Sequence, residues 1–188
     1  MAKRNRWIRL PGIMPLVLAL LVGGLTAGHA EEKVGKEEAL DAGLPDAAEV
    51  EKETLYLSEE ERKQIEDRAD AELESRLFTV YKGLDGDTVT GYAFIDTRTI
   101  RTKPATFMVV LSPEGKVRQT RVLAWKEPPE YKPGERWLAQ FEGHGLEPHT
   151  RLGGEIQSMS GASLTSRTLT DGVRRALAVH AVKLAEDD

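Results

Sequence analysis

The chain has no cysteine in its 188 residues. That absence excludes disulfides, thiolate zinc sites, Cys-ligated iron–sulfur clusters, Cys-x-x-Cys-His haem attachment and a cysteine-linked lipid anchor. An excess of positive charge is also missing. Lys and Arg total 26 against 31 Asp and Glu, for a net charge of −5, so nucleic acid is not an expected partner. No stretch reaches the roughly 18–20 apolar residues of a membrane span. Hydrophobic residues make up 40% of the chain, enough for one ordinary core. The length suits one domain plus a tail once a targeting segment is set aside.

The charge falls into three regimes. Residues 1–30 carry Lys3, Arg4, Arg6 and Arg9 and no acid. This basic region precedes an apolar run over residues 13–25 and the small-residue ending Gly28-His29-Ala30. Together these read as a Sec-type signal peptide cut after Ala30, which gives a periplasmic or extracytoplasmic protein. Left uncut, the segment is a membrane tether. Asn5 separates Arg4 from Arg6, so no twin-arginine signal is present. Residues 31–76 carry 17 acids and 7 bases, whereas residues 77–188 are nearly balanced. Residues 31–53 read as an acidic linker with at most one short helical piece, and residues 54–185 as the folded domain.

Ser58 stands three residues before Glu61, the spacing of a capping box, and predicts a helix from about Glu59 to Leu73. Strand signals follow at residues 77–81, 88–95, 106–111 and 117–125. The connections between them are too short for helical crossovers. Trp137, Leu138 and Phe141 suit a short amphipathic helix. Leu169, Val173, Leu177, His180 and Leu184 form the core-facing stripe of a last helix starting near Ser166. The expected fold is α+β: a mainly antiparallel sheet with an N-terminal and a C-terminal helix packed on it.

The most unusual segment is Ser158-Met159-Ser160-Gly161-Ala162-Ser163-Leu164-Thr165-Ser166, just ahead of that helix. Unpaired N–H groups at a helix start favour an anion, and Gly and Ala allow a phosphate close approach. Thr165 or Ser166 can cap the helix while other hydroxyls stay free. The same residues also suit an ordinary Ser/Thr-capped helix with no ligand.

Ser160-Gly161-Ala162-Ser163-Leu164-Thr165 closely resembles the Ser/Thr-Gly-Ala-Thr/Ser-x-Thr/Ser signature of the FMN-binding domain family, which includes extracytoplasmic flavoprotein subunits of Rnf and Na⁺-translocating NADH:quinone reductase complexes. The Gly91-Tyr92 strand, the hairpin turning at Pro113-Glu114-Gly115 and the segment from Trp137 to Gly143 resemble it too. The resemblance spans roughly residues 54–183. It implies FMN joined by a phosphoester to Ser163, with Ser160, Gly161, Ala162, Thr165 and Ser166 around the phosphate. It further implies a Mg²⁺-dependent flavin transferase as maturation partner and a membrane or periplasmic redox protein as electron partner. Two positions depart from the family pattern. Ser163 replaces the commoner Thr, and Gln157 replaces an acid six residues before the attachment site.

Trp137 is the candidate to stack on the flavin, and Glu127 lies in a loop expected to close over the ring. Tyr92, Phe141 and His180 read as core. Arg151, Arg167 and Lys103 are candidate phosphate or ring cations. His144 and His149 lack a specific zinc spacing, so no metal site is expected. With no acid–base pair or activated nucleophile in view, no catalytic residue is assigned. The chain reads as an electron relay carrying FMN. The alternative, resting on Gln157, is a non-redox binding or regulatory module that kept the fold.

Overall fold

A computed structural model describes residues 35–185. The signal peptide of residues 1–30 and its cut after Ala30 lie outside them. Five strands form one antiparallel sheet in sequence order: β1 (Glu49–Tyr56), β2 (Leu77–Asp85), β3 (Thr88–Thr99), β4 (Pro104–Leu111) and β5 (Val117–Trp125). The helices are α1 (Lys36–Gly43), α2 (Glu59–Ala69), a single turn α3 (Glu135–Leu138) and α4 (Ser163–Lys183), with a 3-10 turn over Ala139–Phe141. The α+β expectation holds. Among the described residues, no helix is long and apolar enough to cross a membrane.

Strand periodicity explains the layering. Tyr92, Phe94, Phe107, Val109 and Leu111 point to one face, where Leu169, Val173 and Leu177 of α4 and Ile65 and Ala69 of α2 complete the main core. Ala93, Met108 and Val110 point to the other face and pack with Ala39, Leu40 and Leu44. The sheet is therefore covered on both sides. Gly172 lets α4 lie against β4, because a Cβ there would sit 2.4 Å from the Phe107 ring.

Arg174 of α4 is buried. It donates to the carbonyls of Arg68 and Ala69 at the end of α2 and to those of Glu147 and Thr150. A cation suits the negative end of the α2 dipole. The contact fixes α2, α4 and the 147–150 loop to one another.

Three expectations need correction. The acidic stretch holds the one short helical piece allowed for it, α1 over residues 36–43, but it is not a linker, because residues 49–56 pair along their whole length with β2. As an edge strand, β1 buries only Leu55, so its sequence lacks the apolar alternation that marks a half-buried strand. Helix α2 ends at Ala69 rather than near Leu73, because Asp70 turns left-handed at φ 52°. Helix α4 begins at Ser163, three residues before Ser166.

Candidate functional site

The Ser160–Ser166 segment forms the entrance to α4. Gly161 is left-handed at φ 77°, a conformation glycine adopts without the cost of a Cβ. Ala162 occupies the N-cap position and offers no side-chain cap. The N–H groups of Ser163, Leu164 and Thr165 consequently find no acceptor among the hydrogen bonds of the described residues. No acid stands in this first turn. Ser163, the first residue of the helix, is exposed, as are Ser160 and Gly161.

Thr165 and Ser166 are buried, and neither caps the helix as the sequence suggested. The Ser166 hydroxyl works inside the turn. It accepts the Met159 N–H at 2.9 Å and donates to the Ala162 carbonyl at 3.1 Å. Arg167 lies one helical turn after Ser163, on the same face, and is exposed. It makes no ion pair among the described residues. Free N–H groups, the positive end of a 21-residue helix, an outward hydroxyl and a nearby cation all fit a phosphate monoester.

Trp137 reaches this segment through its polar edge. Its Nε1–H donates to the Gln157 carbonyl at 2.6 Å, and its ring meets Phe141 edge-on at 5.4 Å between centroids. Gln140 takes the other side of the same residue, its Oε1 accepting the Gln157 N–H at 2.8 Å. Gln140 donates from Nε2 to the Trp137 carbonyl at 3.2 Å, which orients the amide. Sequence reasoning missed Gln140; its only signal was its place three residues after Trp137. The Gln157 side chain is exposed.

Glu127 is buried and does structural work. One oxygen accepts the N–H groups of Arg101, Thr102 and Lys103 at 2.7–2.9 Å. These N–H donors, Lys103 and Thr102 foremost, hold its carboxyl below the usual carboxylate range. The carboxylate shapes one wall of a cleft of about 570 Å³ that Arg101, Lys103 and Tyr131 also line. There the Arg101 guanidinium lies 4.9 Å from the Tyr131 ring centre. Trp125 donates to the Pro128 carbonyl at the base of that loop. The hydrogen bonds from Trp137 and Gln140 to Gln157 do not extend to Glu127.

Tyr92, Phe141 and His180 are buried, as expected. His144 and His149 pair with Glu147 and Glu155 at 3.0–3.9 Å, tying together the loop before the Ser160–Ser166 segment. Lys116 bonds Glu147 and, as the largest influence, lowers its pKa.

Residues 101–178 match the family model of the FMN-binding domain. The match runs from the β3–β4 turn through the Ser160–Ser166 segment and most of α4. No curated protein matches the chain.

Proposed function

The chain carries an FMN-binding domain over residues 101–178, and on that premise we propose an exported flavoprotein with FMN joined through its phosphate to Ser163 Oγ. It relays electrons to or from a membrane or periplasmic redox partner. The observation that carries this reading is the exposed Ser163 hydroxyl at an uncapped helix start behind a left-handed glycine.

Bound flavin supplies one- and two-electron redox chemistry that no side chain here offers. The residues of the chain hold and orient it. The N–H groups of Ser163, Leu164 and Thr165 and the Arg167 guanidinium suit the phosphate. Glu127 would act indirectly, by fixing the turn from which Arg101 and Lys103 present positive charge. Trp137 holds the turn that leads to Ser163 through its N–H and is braced by its contact with Phe141, which leaves stacking, a job for a ring face, open to it.

Attachment needs a flavin transferase with FAD as donor. The Ser163 oxygen forms a bond to the FMN phosphorus, the pyrophosphate link to AMP breaks, AMP leaves, and the hydroxyl proton passes to a base of the transferase. No electron changes hands. Co-expression with such an enzyme, followed by acid precipitation, tests the reading. Wild type should give a yellow pellet and Ser163→Ala a colourless one. A colourless wild-type pellet rejects covalent attachment.

Gln157 favours a second reading, a non-redox module on the same fold, because it stands where an acid is usual and its side chain faces solvent. Gln157→Glu separates the two. If that substitution is needed for labelling, the natural chain is not a flavin carrier.

A further inference from the structure

We propose that Trp137 and Gln140 form a clamp that presents Ser163 to the transferase, with Gln140 as a positioning residue for flavin attachment. This role rests on the attachment reading above.

The geometry behind it is specific. Trp137 and Gln140 are three residues apart and face the same way from their helical turn. Between them they take both backbone polar groups of Gln157, the carbonyl by Trp137 Nε1–H and the N–H by Gln140 Oε1. Two side chains thus do the work of a neighbouring strand. Ile156, next to the clamped residue, is fully buried. Two residues beyond Gln157, the Met159 N–H is held by the buried Ser166 hydroxyl, which also holds the Ala162 carbonyl. The path from Gln157 to Ser163 is therefore pinned at its start, middle and end, and only Ser158, Ser160 and Gly161 lie between pins. The turn needs no cap from Ser163, whose hydroxyl stays outward. Because the clamp grips only the backbone of Gln157, the side chain at that position is left to face an approaching enzyme.

An enzyme that transfers a group to one hydroxyl requires that hydroxyl at a set position relative to the donor phosphorus. Releasing the clamp lets the turn sample other shapes, so transfer falls without loss of the reacting group.

The test measures initial rates of flavin transfer from FAD across concentrations of the protein, together with hydrogen exchange at the Gln157 amide. Gln140→Leu removes the acceptor; Gln140→Glu retains it. We expect Gln140→Leu to lower kcat/KM at least tenfold and to speed Gln157 exchange. Gln140→Glu should stay within about threefold of wild type, with the amide protected. Trp137→Phe, which keeps an aromatic ring but loses the N–H, should fall several-fold. Leu40→Ala, a truncation in the separate core on the other face of the sheet, controls for stability and should label at the wild-type rate even if it melts lower. Labelling of Gln140→Leu at the wild-type rate overturns the role, as does a Gln140→Glu protein no better than Gln140→Leu. A wild-type protein that takes no flavin overturns attachment and this role together, whereas a labelled wild type with indifferent clamp variants overturns this role alone.

Discussion

Helices α2 and α4 lie against each other yet begin in opposite ways. At α2 the chain satisfies itself. Ser58 accepts the Glu61 N–H, the Glu61 carboxylate accepts the Ser58 N–H at 2.7 Å, and Glu59, Glu60 and Glu61 fill the first turn with negative charge. At α4 an alanine stands at the N-cap, no acid follows, and the first N–H groups have no acceptor among the described residues. The same molecule thus caps one helix fully and leaves the longer one open. An open start costs stability, since a capping side chain contributes about 1 kcal/mol. An anion from outside the chain would recover that stabilisation, and the phosphate ester proposed at Ser163 would supply one.

The largest effect expected from breaking this contrast is at the hydroxyl itself. Ser163→Ala should abolish acid-stable flavin while Ser163→Thr retains it, as read by absorbance of the precipitated protein. Leu164→Glu should make the start of α4 resemble that of α2. Leu164 is exposed, so the new acid meets the dipole without repacking. Flavin transfer should fall several-fold, while the unloaded protein gains about 0.5 kcal/mol in denaturant unfolding. Gly161→Ala probes the left-handed turn. A Cβ there meets nothing within 4 Å, so the cost is backbone strain alone, about 1 kcal/mol, with slower transfer. The mirror experiment is Ser58→Ala, which should cost about 1 kcal/mol and leave flavin transfer unchanged.

The smallest effect is electrostatic and tests the closed end. Glu61 has its pKa lowered from 4.5 to about 2, first by the hydrogen bond from Lys183 near the end of α4 and then by the Ser58 N–H. A carboxyl whose folded-state pKa is depressed stabilises the fold above its unfolded value and loses that contribution as pH falls through the folded one. Melting curves of wild type and Glu61→Gln should therefore differ by a constant amount above pH 4.5. The gap should close toward pH 2. A gap unchanged down to pH 2 would remove Glu61 from the account.

Much of this architecture is legible in the sequence because it obeys local rules. The Ser58–Glu61 box, the Pro113-Glu114-Gly115 turn and the α4 stripe each carry their own signature. Strand β1 does not, since an edge strand with one buried residue looks like charged linker. The entrance to α4 was misread by three residues for a related reason. Ser and Thr near a helix start read as caps, but Ser166 turns its hydroxyl inward and Ser163 turns outward, a choice set by tertiary packing. Glu127 shows the same limit. Its position in the loop was readable, but the three N–H groups that claim its carboxylate come from a turn 24–26 residues away. Gln140 carries little signal beyond its place three residues after Trp137, because its partner is the backbone of Gln157.

The claim on which the account turns is that the open helix start holds FMN through Ser163. Trypsin should release that residue within the peptide 152–167, bounded by Arg151 and Arg167. Mass spectrometry of this peptide, from protein matured in its native host, should show a gain of one FMN less one water, located on Ser163. An unmodified 152–167 peptide, or the same gain on another residue, would contradict it.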